Sequence, residues 1–215
     1  MHSLLKKLLL TAVLLLAGPA MAGEAFIAGT HYAVIDVPVA TGLEETAPAQ
    51  VEVVEVFSYM CIHCYSFDPL LQRWEEDKPE GAAFSRLPAV FSDDWALMAR
   101  AFYTAEILGV AEQMHGPLFQ AIHVEPQNIR SEQVMAGLFN ESAGVAEEAF
   151  SKAYNSFFVR SRVMQARSKS RAYGLNSVPT MIVNGKYRVD GRMAGSNQAM
   201  LDVVNFLVER EREAN

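Results

Sequence analysis

The chemistry of this chain is concentrated in Phe57-Ser-Tyr-Met-Cys61-Ile-His-Cys64-Tyr-Ser-Phe67, which holds both of its cysteines with two residues between them. An apolar alternating strand gives way to a helical pattern at this point. A sulfur in the first turn of a helix lies at the positive end of the helix dipole and is favoured as a thiolate. The thiolate is the nucleophile in thiol-disulfide exchange, so the spacing predicts a redox-active Cys61–Cys64 pair. Cys61, nearer the helix end, is the expected attacked and attacking sulfur, and Cys64, one turn deeper, the resolving one. A purely structural disulfide is the alternative, but so short a loop removes little entropy from the unfolded chain.

Other cysteine chemistry fits less well. A structural zinc site needs four ligands. Here His63 is the one nearby candidate, with His31, His115 and His123 scattered along the chain, so no metal site is expected. Haem attachment needs histidine after the second cysteine, and Tyr65 follows Cys64. No cofactor is implied.

Three neighbours could serve the cysteines. His63 can hold a positive or polarisable group beside Cys61 and favour its thiolate; away from this motif it would read as a solvated helix residue. Glu55 shares a strand face with Val51, Val53 and Phe57 by the two-residue period. It is therefore either at a solvated strand end or buried with a raised pKa, where it could take a proton from Cys64. Asp68, four residues beyond Cys64 on the same helix face, could add to that acidic environment, but is expected to be solvated.

The elements that must position these groups can be read in chain order. Residues 31–37 alternate as a first strand, and 40–50 form a loop. Residues 51–57, rich in valine, make a central strand leading to the cysteines. Residues 61–78 are helical, with Phe67, Leu70, Leu71 and Trp74 on one face and Pro69 expected to kink the helix. Residues 82–88 form another strand, parallel to 51–57 across a right-handed crossover.

Helices then follow in succession. One runs to a stop at Gly109 with Asp93 and Asp94 as caps, one spans 110–122, one starts at Ser131, and one or two lie between Gly144 and Tyr173, with Gly174 as a C-cap. The chain closes with a hairpin, 178–183 and 186–189, about the two-residue turn Asn184-Gly185. A final amphipathic helix is capped by Ser196. Met98, Met135, Met164, Met181 and Met200 are expected in the core, His115 and His123 at the surface.

At 215 residues the chain suffices for one domain with a large insertion. Residues 1–22 read as a signal peptide: Lys6 and Lys7 precede the apolar run 8–17, and Ala20-Met21-Ala22 has the form of a cleavage site. The run is too short to span a bilayer, and cleavage after Ala22 is expected. The formal charge of −7 becomes −9 once Lys6 and Lys7 are removed. Such a chain has no electrostatic case for nucleic acid. Export matters because disulfides persist in oxidising compartments.

The order of elements, with Cys-x-x-Cys opening the first helix and a proline opening the last hairpin, resembles an α/β thioredoxin-like fold with an inserted all-helical domain. More closely, the chain resembles the DsbA family of periplasmic disulfide-forming proteins. The likeness is carried by Glu55-Val-Phe-Ser-Tyr-Met-Cys61-Ile-His-Cys64-Tyr, by Asn155-Ser-Phe-Phe-Val159, and by Val178-Pro179-Thr180 with Val183-Asn-Gly-Lys-Tyr187. Ile62 stands where the best-known members have proline.

The resemblance implies a thioredoxin-like domain of residues 23–90 and 175–215, interrupted by a helical domain of 91–174. It implies that His63 stabilises the Cys61 thiolate, that Glu55 is the buried acid, and that Val178-Pro179 is cis. An extended substrate would then pair along Val178, beside Pro179 and Ile62. The implied activity is donation of a disulfide to reduced, unfolded exported polypeptides in the periplasm. Reoxidation would come from a quinone-linked inner-membrane oxidase of the DsbB type. A monomer is expected. A reductase or isomerase of the same superfamily, or a binding or chaperone module with a structural disulfide, are the alternatives; the isomerases usually carry threonine in place of Val178.

Overall fold

A computed structural model describes residues 26–43, 47, 49–125 and 127–214; the signal-peptide reading of 1–22 falls outside them, as does part of the loop read at 40–50. In chain order the elements are β1 (Ala33–Val34), β2 (Val51–Phe57), α1 (Ile62–Asp77), β3 (Ala82–Pro88), α2 (Asp93–Ile107), α3 (Ala111–His123) and α4 (Glu132–Ala143). They continue with α5 (Glu147–Tyr154), α6 (Phe157–Ala172), β4 (Thr180–Val183), β5 (Tyr187–Asp190), α7 (Gly191–Ala194) and α8 (Asn197–Ala214). The strands form one sheet in the order β1-β5-β4-β2-β3. β2 pairs parallel with β3 and antiparallel with β4. This is a thioredoxin-like sheet, with helices α2 to α6 between β3 and β4.

Valine at alternate positions of β2 gives both faces of the sheet something to bury. Val51 and Val53 pack with Phe67, Leu71 and Trp74 of α1 and with Leu201, Val204 and Leu207 of α8. Val54 and Val56 pack on the other face with Met98 and Phe102 of α2 and Val159, Val163 and Ala166 of α6. The inserted helices therefore share a core with the sheet.

Several local expectations are revised. The alternation at 31–37 yields only a two-residue strand, because Ile35 and Val39 donate their amides to Lys186 and Gly185 of the hairpin turn rather than extending the ladder. Ser92, not Asp93 or Asp94, caps α2: its hydroxyl accepts the Trp95 amide, while the two acids lie in the first turn. α1 continues through Pro69. In the hairpin, the Lys186 amide donates to the Val183 carbonyl with Asn184 and Gly185 both at positive φ, as expected. The ladder, however, pairs Val183 with Tyr187, so three residues separate the strands. Met164 is 72% exposed, whereas Met98, Met135, Met181 and Met200 are buried.

Candidate active site

The chain leaves β2 at Phe57 and turns over Ser58, whose hydroxyl accepts the Met60 amide and whose carbonyl accepts that of Cys61. This turn makes Cys61 the N-cap of α1, with extended backbone at φ −99 and ψ 113. Its sulfur accepts the backbone N–H of Cys64 at 3.4 Å, in the role a serine or aspartate oxygen plays at an ordinary N-cap. A thiolate there meets otherwise unpaired amides and the positive end of the helix.

The Cys61 pKa falls from 9.0 to about 6. The largest cause is a hydrogen bond from the Cys64 thiol; partial burial opposes it, the amides of Cys64 and His63 add to it, and the charge of His63 contributes least. The partner sulfur is affected in the opposite sense. Cys64 is fully buried, and burial, the Cys61 sulfur and the Glu55 carboxylate push its thiol far above the ordinary range. The pair is thus divided into a half-exposed thiolate and a buried thiol.

The far wall is the Val178-Pro179 peptide, which is cis as expected. The Val178 carbonyl lies 3.5 Å from the Cys61 sulfur. Ile62 is 51% exposed, and His63 is exposed beside it in the first turn of the helix. Both flank the sulfur from the solvent side rather than packing beneath it.

Below Cys64 lies a cluster of buried charge. Glu55 is almost wholly buried, and burial raises its pKa from 4.5 to about 8 despite the Arg86 guanidinium, whose Nε is 3.2 Å from the Glu55 carboxylate. Asp68 is buried as well, not solvated: Gln72 donates to one of its oxygens at 2.7 Å and His115 meets the other at 3.0 Å. His115 of α3, expected at the surface, is buried, and its second ring nitrogen is 3.0 Å from the Tyr59 hydroxyl. His123 is partly buried, stacked on Tyr65 and bonded to the Tyr59 carbonyl. Sequence reasoning missed Arg86, although a lone cation in the apolar run 82–88, parallel to the strand carrying Glu55, was a signal for it. The pairing of His115 with Asp68 spans 47 positions and left no local signal.

A thioredoxin-like fold presenting a low-pKa cysteine at a helix N-terminus, over a buried second thiol and across from a cis proline, defines a thiol:disulfide oxidoreductase. Comparison with known proteins narrows this class. The chain belongs to the DsbA family: the model of the DSBA-like thioredoxin domain matches residues 71–201. The chain is 38% identical over 213 residues to the thiol:disulfide interchange protein DsbA of Pseudomonas aeruginosa, covering 98% of this chain and 99% of that one. It is 40% identical over 167 residues to DsbA of Azotobacter vinelandii, 78% of each chain. The crystal structure of Pseudomonas aeruginosa DsbA superposes with a TM-score of 0.81 at 38% identity, covering 88% of this chain and 96% of that one. The oxidoreductase DsbA from Xylella fastidiosa gives 0.77 at 32%, with 85% and 96% covered.

Proposed function

We propose that the oxidised protein donates its Cys61–Cys64 disulfide to reduced, unfolded polypeptides exported to the periplasm. A substrate thiolate attacks the Cys61 sulfur; the Cys61–Cys64 bond breaks and its electron pair stays on Cys64. That buried sulfur takes a proton, and we assign its donation to Glu55, which is protonated over most of the neutral range and interacts electrostatically with Cys64. A second substrate thiolate then attacks the substrate sulfur of the mixed disulfide. The substrate leaves oxidised, and Cys61 leaves as a thiolate.

The observation that carries this reading is the stabilised Cys61 thiolate, with a pKa near 6. At pH 7 the part of the shift that counts is the single unit between 6 and 7. It favours the reduced enzyme by at most about 1.4 kcal/mol, or about 30 mV for the two-electron couple. Solvent screening at a half-exposed sulfur lowers that figure. The sign is that of an oxidant.

The remaining roles are assigned as part of the same proposal. The Val178 carbonyl, held over Cys61 by Pro179, offers an extended substrate a backbone acceptor, as in pairing with an added strand. Ile62 gives that substrate an exposed apolar side chain, and His63 adds a small electrostatic contribution to the thiolate. Catalysis is assigned to the thioredoxin-like part, 23–90 and 175–215, with 91–174 as a helical insertion. Reoxidation is assigned to a DsbB-type quinone-linked membrane oxidase, and the working form to a monomer delivered by a leader cleaved after Ala22.

The test is oxidation of a reduced, unfolded two-cysteine protein by the oxidised enzyme in stoichiometric amount. Substrate disulfide should appear together with two free thiols on the enzyme, and C61S should abolish the reaction. Efficient reshuffling of a scrambled substrate, with a potential near that of thioredoxin, would instead make the protein an isomerase or reductase.

A further inference from the structure

Beneath Cys64 three carboxylates compete for one guanidinium. Arg86 lies 3.2 Å from Glu55, 3.5 Å from Glu75 and 3.9 Å from Asp68, and its guanidinium stacks over the Phe84 ring. Asp68 is the nearer rival to Glu55 in burial, since both are shielded from water whereas Glu75 is partly exposed. Asp68 is held elsewhere: Gln72 donates to its Oδ2, and His115 meets its Oδ1. A carboxylate offers only acceptors, so the ring nitrogen facing it carries the proton. In the neutral ring the other nitrogen then accepts the Tyr59 hydroxyl, which anchors His115 to the segment leading into Cys61.

We propose that His115, supplied by the helical insert, is a positioning residue for the redox site: by holding Asp68 it keeps Arg86 on Glu55, and so governs the ionisation of the acid beneath Cys64. Only its kinetic consequence rests on the reading of Glu55 as the proton partner of Cys64. The groups facing Glu55 can be named element by element. They are Arg86 from β3; Cys64, Asp68 and Glu75 from α1; and Tyr59 from the turn after β2. Its partner across the sheet on β4 is the uncharged Met181. Beyond them His115 and Glu112 of α3, with Glu106 of α2, line a cleft together with Arg86, Glu75, Phe84 and Phe102. Without His115, the Asp68 carboxylate regains a free oxygen and draws the guanidinium toward itself. Glu55 then loses part of the one close cation it has among the described residues.

Glu55 can be titrated directly by carbon NMR of reduced protein carrying carboxyl-labelled glutamate, with its resonance assigned through Glu55→Gln. His115→Phe should raise the Glu55 midpoint by about half a pH unit or more. Adding Asp68→Asn should reverse the shift, because it removes both the rival for Arg86 and a negative charge that itself raises Glu55. His115→Gln, which keeps a donor for Asp68, should restore most of the wild-type value. Should His115→Phe fail to fold, Gln72→Ala releases the other Asp68 oxygen from the exposed side of α1 and should move Glu55 in the same direction by less. An unmoved midpoint in a folded His115→Phe, or a shift that Asp68→Asn does not reverse, would overturn the proposal, and a lowered melting temperature alone would make His115 merely structural. If Glu55 moves as expected while the pH profile of Cys64 in mixed-disulfide exchange does not follow, the inference about His115 stands and the role given to Glu55 fails.

Discussion

The reactivity of Cys61 has separable sources. Alkylation of the reduced protein should be half-maximal near pH 6. Cys64→Ala, which removes the donor contributing most, should raise that midpoint while leaving it below 9.0, because the helix-end amides remain. His63→Ala should raise it less than Cys64→Ala does. A larger effect from His63 would mean that side-chain charge, not the helix terminus, governs the sulfur. Glu55 allows a second prediction. Its pKa is raised from 4.5 to about 8 in the fold, so the folded state binds the extra proton over that interval. Its contribution to stability is complete below 4.5 and is lost as pH rises through about 8. The stability of Glu55→Gln relative to wild type should therefore rise between pH 4.5 and about 8, by up to a few kcal/mol, when both are unfolded by urea in the same redox state. The cysteines and the break that Glu55 makes in its strand were legible in the sequence because each is a local anomaly. Asp68 and His115 read as solvated because a polar residue on a helix is solvated by default, and only the distant partners make burial tolerable.

At the scale of elements, local pattern and tertiary demand parted at the hairpin. The run 31–37 has the alternation of a strand, yet past Val34 its amides are claimed by the turn carbonyls of Gly185 and Lys186. That close approach requires a residue without Cβ: a Cβ built on Gly185 would lie 1.9 Å from the Val39 carbonyl oxygen, and φ is +61 there. Gly185→Ala should accordingly cost about 2–3 kcal/mol in urea unfolding, far more than an exposed substitution, with β1 and the Val39 segment displaced from the hairpin. The cap of α2 gives a contrasting case. Ser92→Ala should cost about 1 kcal/mol, whereas Asp93→Ala, an exposed first-turn substitution, should cost less. The acids signalled a helix start correctly but marked its first turn rather than its cap. The catalytic helix, its flanking strands and the closing amphipathic helix were all readable, since period and caps agree there. What could not be read was how the inserted helices lie against the sheet, because that depends on faces brought together only by the fold.

For the whole molecule, the sharing of one core between the sheet and the insert favours unfolding as a single cooperative unit, so stabilities of the two redox forms can be compared directly. Their difference should follow the two sulfurs, because Glu55 and the other buried acids are present in both forms and largely cancel. In the reduced protein Cys61 has a folded pKa near 6 and an ordinary value of 9.0. Its stabilising contribution is fully present above 9.0 and is lost as pH falls through about 6. Cys64 has the opposite sign: its folded pKa is raised, so its contribution is present below 9.0 and is lost as pH rises beyond that. The stability of the reduced form relative to the oxidised one should thus climb between about pH 6 and 9, by at most about 1.4 kcal/mol per unit and less after solvent screening at Cys61, and decline above. Urea unfolding of both forms across this range, with iodoacetamide-blocked protein as a control that cannot titrate, reads the curve directly. A difference that is flat from pH 6 to 9 would mean that the reduced protein gains nothing from its thiolate, and with that the source of its oxidising power would be lost.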